Sequence, residues 1–152
     1  LTTTPEEIRS VINSNLIGTM FFTQAVIPSM LKAKRGTIIN VSSLSALDPV
    51  PIGGMAYSAA KSAVVNFTQF LNNEFGDTNI RASVVIPGEV NTPILDKRPI
   101  PPDADARAIM VDAEDVAQSI RLIAGLSQNS LISELIITPT LKRDSSKEVP
   151  KM

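Results

Sequence analysis

Three short apolar segments most constrain the fold of this chain, because each has the composition of a buried strand. They are TIINVS at residues 37–42, IRASVVI at residues 80–86 and ELIIT at residues 134–138. Strands that are covered on both faces have nearly continuous apolar, β-branched sequences. Helical patterns separate the three segments, and helical crossovers between strands predict a parallel sheet with helices on both faces. The expected class is therefore α/β, in the order helix, strand, helix, strand, helix, strand.

The first helical pattern covers residues 5–34. Thr4 precedes a proline and can serve as an N-cap, and Glu7 completes a capping box three residues later. Pro28 lies late in the pattern and lacks a backbone N–H group, so it is expected to kink or divide the helix.

The remaining helices flank a loop that is rich in proline. A second helical pattern covers residues 55–75, and a third begins after Asp112, which is expected to cap it. Between them, residues 93–111 contain four prolines and are expected to have little regular structure. Residues 139–152 are polar and are expected to form a loose tail, so residues 1–138 form the folded part of one domain.

Composition excludes several kinds of chemistry. The chain has no Cys and no His, so disulfides, thiolate nucleophiles, Ser-His-Asp hydrolases and histidine-ligated metals are not possible. A net charge of −1 without a basic run gives no support to nucleic-acid binding. The longest apolar run, around MFF, is too short to cross a bilayer, and no signal-peptide pattern is present. We therefore expect a cytoplasmic protein without a metal, nucleic-acid or membrane partner.

The only tyrosine, Tyr57, precedes Lys61 by four residues within the second helical pattern. Residues at this spacing are neighbours on one face of a helix. A nearby ammonium group favours a phenolate, which makes Tyr57 a candidate proton donor and acceptor. By itself the pair is more often a tyrosine at a helix edge beside a solvated lysine.

Polar residues follow two of the predicted strands. Ser42 and Ser43 come directly after the first strand, while Gly88 and Thr92 follow the second. In parallel sheets, ligands bind beyond the carboxyl ends of the strands. Each feature alone is typical of a turn, but together and in this order they form a specific pattern.

In combination, these segments resemble the short-chain dehydrogenase/reductase family over nearly all of residues 4–138. The similarity runs through NSNLIGTMFFTQAVIPSM, GTIINVSSLSA, YSAAKSAV, IRASVVIPGEVNTPIL and EDVAQSI. The resemblance implies a Rossmann-like, doubly wound parallel sheet, of which this chain holds only the second half. It also implies that residues 93–111 form the substrate loop.

The resemblance assigns catalytic roles to four residues. Tyr57 would be the general acid/base acting on the substrate oxygen, and Ser43, rather than Ser42, would hydrogen-bond that oxygen. Lys61 would bind the nicotinamide ribose and favour the ionised form of Tyr57. Asn15 would hold a water molecule that links Lys61 to solvent, although a polar residue on the solvent face is the simpler alternative.

The same resemblance implies a cofactor, NAD or NADP. Besides Tyr57 and Lys61, it would be bound by residues after the second strand, namely Pro87, Gly88, Val90 and Thr92. The implied reaction is reversible hydride transfer between the nicotinamide and a small carbonyl compound or secondary alcohol. Two alternatives remain open: an epimerase or dehydratase with the same fold, and a non-catalytic fragment that serves as an interaction surface.

One family feature is missing from these 152 residues, the glycine-rich phosphate loop G-x-x-x-G-x-G. The simplest interpretation is truncation, and the chain alone is then expected to be inactive. The resemblance also implies a homodimer or homotetramer that assembles through helices 5–34 and 55–75.

Overall fold

A three-stranded parallel sheet forms the centre of the structure, a computed structural model that describes residues 3–145 and residue 148. Strand β1 is Gly36–Val41, β2 is Ile80–Pro87, and the last strand, β5, is Glu134–Ile137. Strand β2 lies in the middle and pairs in parallel with both neighbours. All three predicted strands are confirmed, and so is their parallel arrangement.

The first helix, α1, runs through Pro5–Ala33. The predicted capping box is present: Glu7 N–H donates to the Thr4 hydroxyl at 3.2 Å, and Thr4 N–H donates to the Glu7 carboxylate at 2.8 Å. Pro28 does not divide the helix, because a proline removes a single donor and the residues around it stay helical. The irregularity is instead a π turn at Asn13–Ile17, which sequence patterning did not predict.

Helix α2, Met55–Phe75, has the predicted limits and covers one face of the sheet. Its apolar side chains pack in two clusters with side chains from the strands. Buried members of these clusters are Ile38, Leu71, Ile80 and Ala82 in one and Val65, Val84 and Ile86 in the other. The cluster members that belong to β2 are alternate residues, as expected for side chains on one face of a strand.

The segment predicted as an irregular loop contains three regular elements. These are a 3-10 helix at Pro93–Lys97, a short helix α3 at Ala104–Ala108, and β4 at Val111–Asp112, which pairs in parallel with β3 at Val90–Asn91. Helix α3 begins where the Asp103 carboxylate accepts the Ala106 N–H at 2.8 Å. Local capping therefore gives the loop a defined shape despite its prolines.

Helix α4, Ala113–Gly125, covers the opposite face of the sheet. The buried Arg81 of β2 connects the two, because its guanidinium donates to the carbonyls of Ile123 at 3.2 Å and Leu126 at 3.0 Å. The predicted helices on both faces are thus confirmed. Asp112 occupies the N-cap position of α4, but its side chain makes no capping hydrogen bond.

Helix α1 presents large apolar side chains to solvent. Phe21 is 66% exposed and Phe22 is 79% exposed. By length and composition alone, α1 is long and apolar enough to cross a membrane. Within the described residues, 6% of the most apolar stretch of α1 is buried, while Ile27 and Met30 of this helix are half-buried against the core.

Candidate active site

A cleft of about 560 Å³ opens at the carboxyl ends of β1 and β2. Its walls come from the segment after β1, the first turn of α2, the segment after β2 and part of the C-terminal tail. Six of the eight predicted site residues line it: Ser43, Tyr57, Pro87, Gly88, Val90 and Thr92. The fold therefore brings together residues that are up to 49 positions apart in the sequence (92 − 43).

Tyr57 reaches the cleft from the first turn of α2. Gly54, the residue before this helix, has φ of 75°, a conformation that glycine adopts without strain. The chain can therefore turn sharply into α2, and the half-buried Tyr57 side chain lines the cleft.

Lys61 is one helical turn beyond Tyr57, as the spacing predicted. Its ammonium nitrogen lies 5.6 Å from the centroid of the Tyr57 ring. The same nitrogen donates a hydrogen bond to the carbonyl of Val41, the last residue of β1, at 3.0 Å. Burial lowers the pKa of Lys61 from its usual value of 10.5, because desolvation disfavours the ammonium form.

The neighbouring serines make different hydrogen bonds. The buried Ser42 hydroxyl donates to the Lys61 carbonyl at 2.8 Å, which ties α2 to the end of β1. The Ser43 hydroxyl oxygen accepts the Ser45 N–H at 3.2 Å, and the residue is only half-buried in the cleft. Within the described residues, Ser43 can therefore still donate its hydroxyl proton to a ligand.

Asn15 lies in the π turn of α1, which packs against α2. Its side-chain amide donates to the Val11 carbonyl at 3.0 Å and to the Ser14 hydroxyl at 3.2 Å. The structure gives it no direct hydrogen bond to Lys61 within the described chain. Single-turn π insertions occur frequently at functional sites. Apolar periodicity alone does not predict the π turn at Asn15.

Gly88 lies where the structure leaves little room for a side chain. A Cβ atom there would lie 3.1 Å from Cδ of Pro139 and 3.4 Å from Cα of Thr138. The Gly88 N–H also donates to the Ile137 carbonyl at 2.8 Å. The end of β2 is therefore packed tightly against the segment that follows β5.

An ionic cluster at the cleft, which sequence reasoning missed, contains two residues of the lining and two behind them: Glu89 and Arg98, and Arg143 and Glu148. Arg143 donates to both carboxylate oxygens of Glu89, at 2.5 and 2.6 Å. Arg98 contacts Glu89 at 3.3 Å and Glu148 at 3.2 Å. The hydrogen bond from Arg143 lowers the pKa of Glu148.

This cluster corrects one expectation. The described part of the tail is not loose, since Arg143 is hydrogen-bonded to Glu89, two residues beyond the end of β2. No sequence signal connected Glu89 with Arg143, because the two residues are 54 positions apart and strands β3, β4 and β5 and helices α3 and α4 lie between them. Of the predicted tail, residues 146, 147 and 149–152 lie outside the described residues.

The pattern of the short chain dehydrogenase family matches residues 1–101. A 3-oxoacyl-(acyl-carrier-protein) reductase of Thermotoga maritima is 39% identical over 94 residues, which are 62% of this chain and 38% of the relative.

Two solved structures extend the similarity. A metagenomic short-chain oxidoreductase in complex with NADP is 31% identical, with a TM-score of 0.73, and covers 93% of this chain and 55% of its own. A 3-oxoacyl-(acyl-carrier protein) reductase of Brucella melitensis with bound NAD is 30% identical, with a TM-score of 0.72, and covers 90% and 52%. The chain thus spans about half the length of these two proteins. Since the family pattern covers more than half of the chain, the chain belongs to the short-chain dehydrogenase/reductase family.

Proposed function

We propose that this chain supplies the catalytic and nicotinamide-binding part of an NAD(P)-dependent oxidoreductase that interconverts a carbonyl compound and a secondary alcohol. One observation carries the proposal: Ser43 and Tyr57 line a single cleft, and the Lys61 ammonium lies 5.6 Å from the Tyr57 ring. Together, a hydroxyl donor, a phenol and a neighbouring cation can bind a carbonyl oxygen and protonate it.

The proposed cofactor is NAD or NADP, because similar solved structures contain one or the other. The residues of this chain suit the nicotinamide end. The segment after β2 would hold the carboxamide through Pro87, Gly88, Val90 and Thr92, which line the cleft beside Tyr57. Lys61 would bind the ribose hydroxyls, and a bound nicotinamide would supply or accept the hydride.

In the direction of reduction, residues of this chain bind the carbonyl oxygen and supply its proton. Ser43 donates a hydrogen bond to the carbonyl oxygen, and the Tyr57 hydroxyl transfers its proton to that oxygen as the carbon receives hydride. The substrate gains one hydride and one proton, and Tyr57 is left as a phenolate beside the Lys61 ammonium. Asn15 lies in the turn of α1 that packs against α2, where a water molecule could return the proton from solvent.

The experiment that tests this reaction is the reduction of a panel of aldehydes and ketones with NADH and NADPH. It should use the 152-residue chain and the longest natural polypeptide that contains it. We expect one oxidised cofactor for each alcohol formed. An epimerase or a dehydratase returns its cofactor unchanged, so product formation without net cofactor oxidation would favour that alternative, and no reaction at all would favour a non-catalytic role.

We further propose that the chain alone binds the dinucleotide weakly. In this fold class a glycine-rich turn at a helix N-terminus binds the pyrophosphate, and the 152 residues contain no G-x-x-x-G-x-G sequence. Titration of the chain with NADH and NADPH by calorimetry should give little or no heat of binding. A micromolar dissociation constant with one site per chain would contradict this proposal.

We also propose a homodimer or homotetramer that assembles through α1 and α2. The exposed Phe21 and Phe22 on α1 and Phe70 on α2 are large apolar side chains that a second copy could cover. Such a contact would remove apolar area from water, at about 25 cal/mol per Å². Light scattering at micromolar concentration tests the proposal, and a monomer would contradict it.

A further inference from the structure

We propose that Lys142 selects substrates that carry a carboxylate group, and that the ionic cluster holds it in place for this purpose. The inference rests on the proposed oxidoreductase function and adds the substrate class: short aliphatic oxo acids, or the corresponding hydroxy acids. Lys142 belongs to the tail that follows β5, yet it lines the same cleft as Tyr57.

The residue next to Lys142 is firmly held. Arg143 donates to both oxygens of Glu89, at 2.5 and 2.6 Å, and to Glu148 at 3.0 Å. The side chains of Arg143 and Glu148 are each only 10% exposed. Bidentate pairs between arginine and carboxylate fix geometry as well as adding energy. The backbone at Lys142 is therefore tied to the residue that directly follows Gly88.

Of the four charged side chains that line the cleft, two have ion-pair partners among the described residues and two do not. Glu89 and Arg98 line the cleft, but both belong to the ionic cluster, which contains two arginines and two glutamates. The other charged residues of the lining are Lys142 and Asp48. Neither side chain makes a hydrogen bond or an ion pair with a described residue. Lys142 is thus an exposed cation whose donors, among the described residues, are available to a ligand.

The other residues that line the cleft indicate what kind of nonpolar group the ligand carries. Five aliphatic residues contribute to the walls: Leu44, Val50, Ile52, Ile94 and Leu95. Such walls suit a hydrocarbon body that a few polar groups orient. The cleft of about 560 Å³ is large enough to hold a short aliphatic acid beside a nicotinamide. A short aliphatic acid satisfies all three conditions.

A matched pair of substrates tests this inference in the active form of the protein, either the chain or the natural polypeptide that contains it. The probes are 3-oxobutanoate and 2-oxobutanoate, each compared with its methyl ester. Lys142→Gln should lower kcat/KM for the acids about fivefold, mainly through KM, because it removes an ion pair that solvent partly screens at this exposed position. The esters should change less than about twofold, and Lys142→Arg should keep most of the preference for the acids.

Two further variants separate selectivity from a general effect on structure. Asp48→Asn removes the other unbalanced charge of the cleft and should leave the reduction of the acids undiminished. Arg143→Met should release the tail and weaken the reduction of the acids more than that of the esters. If Lys142→Gln affects acids and esters equally, or affects neither, the inference is wrong while the oxidoreductase function stands. If the wild-type protein reduces no carbonyl compound, both are wrong.

Discussion

The Lys61 ammonium lies 5.6 Å from the centre of the Tyr57 ring while it donates a hydrogen bond to the Val41 carbonyl at 3.0 Å. The helical spacing alone places the two side chains on one face. Strand β1 restricts the lysine further, because the hydrogen bond to the Val41 carbonyl limits the positions that the Lys61 ammonium can adopt. A positive charge is thereby held beside the phenol, where a phenolate would form during reduction.

Replacement of Tyr57 by Phe should remove the proton donor and leave the fold intact. The substitution deletes one hydroxyl at a half-buried position and keeps the ring. General acid catalysis typically contributes about 10²- to 10⁴-fold, so we expect kcat for carbonyl reduction to fall by about that factor. The measurement is the loss of NAD(P)H absorbance, with circular dichroism and thermal unfolding as controls. A variant that kept most of the wild-type rate would show that Tyr57 is not the acid.

Lys61→Met should damage both cofactor binding and turnover, since the proposal gives Lys61 two roles. The variant also loses the hydrogen bond to the Val41 carbonyl. We expect a higher dissociation constant for NAD(P)H and a lower kcat, measured separately by calorimetry and by steady-state kinetics. Lys61→Arg, which keeps the charge, is the matched control and should retain more activity. Unchanged cofactor affinity in Lys61→Met would exclude the ribose role.

Sequence patterning predicted the elements that bury apolar residues and missed those that depend on polar contacts. Helix α2 and the three main strands follow apolar periodicity, so their limits were predicted to within one residue. The π turn around Asn15 differs from the α-helix by one extra residue per turn, which apolar spacing does not record. The elements within residues 93–111 form through local capping at Asp103 and through pairing of β3 with β4, neither of which apolar spacing reveals.

The same distinction applies to the site. Tyr57 and Lys61 could be paired from sequence because they are one turn apart in one helix. Ser43, Gly88 and Thr92 could be placed nearby because parallel strands end at the same edge of a sheet. The contact of Glu89 with Arg143 depends on where a tail crosses the surface, and no local rule determines that path.

Arg81 should be important for stability although it is far from the proposed chemistry. Its buried guanidinium donates to the carbonyls of Ile123 and Leu126 at the end of α4 and to the Thr37 hydroxyl at 3.0 Å. Within the described residues, Arg81→Met would leave the Leu126 carbonyl without a donor and the Ile123 carbonyl with only the Leu126 N–H at 3.4 Å. A buried polar group that loses its partner costs about 1–3 kcal/mol. We expect the free energy of unfolding to fall by about 3 kcal/mol or more, measured by urea denaturation.

The matched control for Arg81 is Arg121→Met, in the same helix as Ile123. Arg121 is exposed, so its replacement should change stability by less than about 0.5 kcal/mol. Equal effects of the two substitutions would mean that the hydrogen bonds to the end of α4 contribute little.

The ionic cluster should make stability depend on pH in the acid range. The hydrogen bond from Arg143 holds the pKa of Glu148 below its ordinary value of 4.5. A lowered pKa in the folded state means that this stabilisation is complete above 4.5 and is lost as the pH falls through the lower, folded value. Wild type should therefore lose more stability than Glu148→Gln between about pH 6 and about pH 3. Parallel curves for the two proteins in urea denaturation would show that Glu148 contributes no such effect.

Replacement of Phe22 by Asp should dissociate the proposed oligomer without unfolding the chain. Phe22 is 79% exposed on α1, so the substitution removes no core packing within one copy. A carboxylate placed against an apolar partner surface would have to lose its water, which opposes association. Light scattering should show a shift from dimer or tetramer to monomer, with an unchanged circular dichroism spectrum. Leu122→Asp is the control, because Leu122 is 55% exposed on α4, outside the proposed interface, and its replacement should leave the assembly intact. If Phe22→Asp stays assembled while Leu122→Asp dissociates, the interface lies on the face of the sheet that α4 covers.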